Sequence, residues 1–257
     1  MRPPSFATQV KLIYVLRERR RKTRVEDIIA LALLGLTVAA GAGCAAMGVR
    51  DTSYHPKIDP ADFQATIDNP YYPLVPGTTL KYIEKTGNEK SESTVTVTHD
   101  TKEIMGVKCV VVHDTVMEKG VLKEENYGWY AQDKQGTVWY FGEATKEFKT
   151  GGRVSTEGSW EAGVDGQPGV IMPGHPQPGE PYRQEYSPGQ AEDMAQITAI
   201  GESTTVPAGS YSDCVRTEEW SLLDNLTEKK WYAKGVGVVR TESTAGEVVT
   251  LVSVTHK

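Results

Sequence analysis

The stretch from Trp129 to Gly142 reads WYAQDKQGTVWYFG, and a shorter copy, WYAKGVGVV, runs from Trp231 to Val239. Aromatic and β-branched residues gathered around a glycine turn make a β-hairpin. Other markers recur with it. Pro76-Gly77 precedes the first copy and Pro178-Gly179 the second, 102 residues later. Cys109 and Cys214 fall between each Pro-Gly pair and its hairpin, 105 residues apart, and the Trp-Tyr-Ala triplets are 102 apart. The near-constant offset reads as an internal duplication of two β-units with small insertions.

Residues 1–44 stand outside this plan. A basic run, Arg17 to Arg24 (RERRRKTR), precedes an uncharged apolar run, Ile28 to Ala40 (IIALALLGLTVAA). Basic residues, then an apolar stretch, then small residues make an export signal. The apolar run is shorter than the roughly 20 residues that cross a bilayer comfortably, although a short anchor stays open. Cys44 follows Gly41-Ala42-Gly43, a pattern that resembles the lipobox of bacterial lipoproteins and implies lipidation at Cys44. Gly41 stands where that pattern prefers an aliphatic residue, and cleavage near Ala42 or Ala46 is the alternative. With residues 1–44 set aside, 20 Lys/Arg face 31 Asp/Glu, a net charge of −11. Nucleic acid is therefore not an expected partner.

The rest divides into a lead-in at 45–72 and a β domain at 73–257. Asp59-Pro60 predicts a short helix over Pro60–Ile67, stopped at Asn69-Pro70. Unit one spans 73–150; its TVTVTH run at Thr94 to His99 alternates with the period of a half-buried strand. Unit two spans 182–257 and repeats the plan. The expected fold is all-β: one domain of two duplicated antiparallel units, forming a strongly curved sheet or barrel of about 10–12 strands with a short N-terminal helix.

Between the units lies a crossover, 151–181, with eight Gly and five Pro. It keeps Trp160, Ile171 and Met172, which are expected to pin it onto the sheet as a lid. Those three are the candidate ligand-contacting residues. Cys109 and Cys214 are expected to form a disulfide, since export and an even count agree; equivalent buried thiols in duplicated niches are the alternative.

Catalytic patterns are missing. No nucleophile elbow, HExxH or Walker loop occurs, and the five histidines have no metal-type spacing. Asp133 and Gly136 read as a turn rather than a calcium loop. Glu124-Glu125, Glu192-Asp193 and Glu218-Glu219 read as solvated pairs. No cofactor, metal or catalytic residue is expected.

The Trp-Tyr-Ala strand, glycine turn and Val-rich return at Trp231–Val239, together with the export signal, resemble a family of exported bacterial proteins of uncharacterised function. The arrangement also resembles, at fold level, the lipoprotein-carrier half-barrels of the LolA and LolB type, whose curved sheets hold acyl chains. The resemblance implies a non-enzymatic cell-envelope lipoprotein, anchored to the membrane by its N-terminal lipid, that binds an apolar ligand or partner on a curved β-surface. A self-assembling surface protein is the alternative, with the lead-in adding to a neighbour's sheet edge. A hydrolase using Glu192 or Asp193 is the weakest reading.

Overall fold

The computed structural model describes residues 54–223 and 225–256. The expected export signal, with Cys44, lies outside the described residues.

Asp59 caps one 3-10 turn, Pro60–Asp62, its carboxylate accepting from the Ala61 N–H at 3.0 Å. The helix expected over Pro60–Ile67 does not continue past it. The turn buries no residue, so nothing stabilises a longer helix. Extended, Phe63 instead meets the Phe141 ring at 5.7 Å, and its backbone pairs with Asp133.

The strands in chain order are β1 (Phe63–Gln64), β2 (Thr78–Thr86), β3 (Glu89–Ile104), β4 (Val107–Glu118), β5 (Val121–Asp133) and β6 (Val138–Phe148). The crossover supplies β7 (Val154–Ser155), β8 (Trp160–Glu161) and β9 (Gly169–Met172). Then come β10 (Tyr182–Arg183), β11 (Asp193–Val206), β12 (Gly209–Ser221), β13 (Thr227–Ala233), β14 (Gly237–Ser243) and β15 (Glu247–His256). All fifteen belong to one antiparallel sheet, more than the 10–12 expected. Ten have seven residues or more; the surplus is short pieces from the lead-in, the crossover and the start of unit two.

The order β10-β11-β12-β13-β14-β15-β2-β3-β4-β5-β6-β7 displays the duplication. β3 to β6 and β11 to β14 are matching meanders, each ending in its Trp-Tyr-Ala hairpin. β15 corresponds in order to β7, which has only two residues, and is far longer. It pairs with β2 from Glu247 opposite Thr86 to His256 opposite Thr78, and so makes the seam between the units.

The sheet is strongly curved. Tyr72, from the lead-in, lies 5.8 Å from the Tyr130 ring on β5 and 6.3 Å from the Tyr232 ring on β13. Five strands separate β5 from β13 in the sheet order. Laid flat, that is roughly 29 Å at 4.8 Å per strand. Only a sheet curled around Tyr72 brings both to one ring. The ladder does not close, but Gln167 bridges Tyr186 across the opening, its N–H donating to the Tyr186 carbonyl at 2.8 Å.

Candidate functional site

Strand alternation decides what the lumen contains. In each Trp-Tyr-Ala copy the Tyr faces inward and the Trp outward. Tyr130 and Tyr232 are fully buried, and the lead-in places Tyr72 between them. Asn69 fixes that insertion. Its N–H donates to Gln132 Oε1 at 2.8 Å, and its side-chain amide donates to the Gly136 carbonyl at 2.8 Å. Burial pushes the Tyr72 hydroxyl pKa up to about 12, so it stays neutral.

The same alternation brings acids inside. Ten carboxyl side chains are buried among the described residues, against two buried cations, Arg183 and Lys230. Lys230 on β13 is 2% exposed and donates to Glu219 Oε2 on β12 at 2.6 Å, with Glu228 Oε2 at 3.6 Å. Glu219 Oε1 accepts from the Tyr232 and Thr217 hydroxyls, both at 2.7 Å. Burial works against the Lys230 charge, yet Glu219 and Glu228 outweigh it and hold its pKa above the ordinary lysine value. This is a buried ion-pair cluster, centred on the short Lys230–Glu219 contact, with Glu228 as the second acid facing the cation.

Glu124, Asp193 and Glu219 were expected in solvent as members of charged pairs; all three are buried. Their sequence neighbours Glu125 and Glu218 lie on the other face, as the period of two requires. Inward Glu219 follows inward Val215 and Thr217, and inward Glu228 leads to Lys230 and Tyr232. Extending the apolar alternation by one more step would have found them. His113 and Asp114 do point to opposite faces: Asp114 is buried, whereas His113 stacks on Tyr127 at 4.5 Å.

Trp160, Ile171 and Met172 are core residues that hold the crossover against the sheet. Trp160 and Met172 are 2% and 0% exposed. β8 pairs with Gly142 and Glu143 of β6, and β9 with Val138 to Tyr140, so the crossover extends the sheet. The Trp160 ring meets Tyr140 edge-on at 5.6 Å. Glycines allow the close approach: a Cβ on Gly142 would lie 2.2 Å from the Trp160 carbonyl oxygen. Backbone pairing supplies what three side-chain anchors alone could not, and it orders short stations along the loop.

Cys109 and Cys214 are not bridged; both are buried free thiols. They sit on β4 and β12, with five strands between, and each sulfur turns to a carbonyl of its own strand, Val107 or Ser212. Duplication accounts for the pair: each fills the matching niche of its own unit. Burial pushes the Cys109 thiol pKa up to about 12.

Asp133 is spent on its turn, with Oδ1 accepting from the Gln135 and Thr137 N–H groups and Oδ2 from Trp139 Nε1. Among the described residues no three His, Cys, Asp or Glu side chains are grouped to hold a metal ion. Glu192 accepts from the Gly189 N–H at 2.7 Å and caps a turn.

A cavity of about 10 Å³ lies inside, bounded by Tyr72, Asp114, Asn126 and Tyr130. That is room for one water. An open cleft of about 480 Å³ lies between the β2–β3 and β4–β5 turns, lined by Lys90, Glu92, Glu118 and Lys119. Its charges are partly self-paired, Lys90 with Glu92 at 3.0 Å.

On the outer face Trp231 stands in register between Arg216 and Arg240, half-buried. The Arg240 guanidinium is 5.8 Å from its ring, and Glu202 accepts from both Arg216 and the Trp231 indole. No protein-family model, curated protein or solved structure matches this chain.

Proposed function

We propose that this is a non-enzymatic bacterial cell-envelope protein, lipid-anchored through Cys44, that binds its partner on the outer surface of the curved sheet. One observation carries the choice of surface: Tyr72 fills the lumen between Tyr130 and Tyr232, and the cavity beside these rings holds only about 10 Å³. An acyl chain needs far more room and apolar walls, whereas this lumen holds buried carboxyls. The Arg216–Trp231–Arg240 row offers a half-exposed aromatic flanked by cations, the composition that concentrates binding energy at interfaces.

The test is mass spectrometry of protein extracted from its native membrane, with a photo-crosslinker replacing Trp231 in a parallel preparation. Support is an acylated N-terminus at Cys44, no retained lipid, and a crosslinked partner that disappears when Arg216 and Arg240 are both changed to Ala. A stoichiometric co-purifying lipid would move the ligand to the lumen.

Self-assembly by strand addition has one observation in its favour. Among the described residues, the lead-in pairs with the sheet as a strand over two residues, Phe63 opposite Asp133 and Gln64 opposite Gln132; side-chain bonds from Asn69 and the Tyr72 ring hold the rest. The same segment could fill the slot of a neighbouring copy. A homo-oligomer ladder that Tyr72→Ala abolishes would favour that reading.

A further inference from the structure

The seam between the two units carries two buried acids side by side. Glu84 on β2 and Glu247 on β15 both face inward, and each is 1% exposed. Register sets Glu84 opposite Val249 and Glu247 opposite Thr86, so the two carboxyls are diagonal neighbours on one face. That spacing lets long side chains meet, and the two carboxyls hydrogen-bond to each other. Two carboxylates cannot share such a bond; one must carry a proton.

The groups that act on Glu84 besides burial are Glu247, Ser91 and Glu124, and none of these is a cation. Ser91, opposite Glu84 on β3, is a neutral hydrogen-bond partner. Glu124 from β5 adds a further acid to the field at Glu84. Along the cross-strand row, Glu84, Val249, Thr241 and Lys230 follow one another on β2, β15, β14 and β13. Lys230 is thus three strands away, roughly 14 Å, and already engaged by Glu219 and Glu228. Tyr82, the neighbouring inward residue of β2, donates to the Val238 carbonyl at 2.9 Å and stays neutral.

We infer that a proton shared between Glu84 and Glu247 holds the two duplicated units together, so that the β2–β15 seam weakens as the medium turns alkaline. Burial first, then the Glu247 carboxyl, hold the Glu84 pKa well above the carboxylate range. A raised folded-state value contributes stability that is complete at acid pH and lost as pH rises through that value. When the proton leaves to solvent, two negative charges face each other in a dry seam. The hydrogen bond breaks, and β15 loses one of its inner contacts with β2. The device sits where it acts on the union of the halves and not on either meander.

Thermal melting across about pH 5 to pH 9 tests this on the full exported domain, comparing wild type with Glu84→Gln, Glu247→Gln and the double variant. Gln mimics the protonated acid without titrating. The wild type should lose about 3–6 °C of melting midpoint over the range, and the double variant should show at most a minor part of that loss. A flat wild-type profile overturns the inference, and so does an unchanged slope in the variants. If the variants do not fold, hydrogen exchange of the wild type decides. Amides of β2 and β15 must lose protection with pH faster than those of β4 and β5, and equal losses overturn the proposal.

Discussion

Tyr130 and Tyr232, 102 residues apart in the chain, face the same lumen from opposite walls and hold Tyr72 between them. Each is the middle residue of its Trp-Tyr-Ala triplet, so the duplication makes a two-jawed clamp and the lead-in supplies what it grips. Removing the gripped ring should destabilise the whole domain. Tyr72→Ala is expected to lower stability by about 3–5 kcal/mol. Tyr72→Phe, which keeps the ring and loses the hydroxyl, should cost about 1 kcal/mol. Urea melts measure both; equal losses would mean that the hydroxyl, not the ring, matters.

Trp160 belongs to the core and spans β6 and the crossover. Trp160→Ala should therefore lower global stability by about 3–5 kcal/mol. If only protease cleavage near Gly163–Gly169 rises while the melting point holds, the crossover is an independent lid after all.

Gly142 has φ 120° and leaves no space for a Cβ beside the Trp160 carbonyl. Gly142→Ala should displace β8 from β6 at a cost of about 1–3 kcal/mol or more. Gly151→Ala, at a positive φ with open space around it, isolates the backbone strain and should cost only about 1–2 kcal/mol. Matching losses in calorimetry would show that the close approach is unimportant.

Lys230→Met leaves Glu219 and Glu228 buried without their shared cation. A loss of about 3–5 kcal/mol at neutral pH is expected. Part of it should return in acid, where the carboxylates take up protons. A variant melting like the wild type at every pH would show that the cluster is not charged.

Both thiols should stay unmodified by a maleimide in the native protein and react fully once denatured without reductant. Cys109, its thiol pKa pushed up to about 12, is nearly all thiol at neutral pH and shielded by the core. Mass spectrometry after non-reducing digestion reads the outcome; a Cys109–Cys214 peptide would reverse it.

The sequence alone determined the all-β class, the two-unit plan and most strand positions. Period-two alternation and Trp-Tyr-Ala hairpins at a 102-residue offset are local features, written along the chain. The content of the lumen was only half legible. Alternation says that Glu124 and Glu125 face opposite ways, but not which face is covered, and only the curl of the sheet makes one of them buried. Partnership across the chain was not legible at all. That Glu84 meets Glu247, that Tyr72 sits between the two tyrosines, and that Cys109 and Cys214 stand five strands apart depend on strand order and curvature. The physical reason is that a strand's own sequence fixes its two faces, whereas its neighbours and the closure of the sheet are set by burial summed over the whole chain.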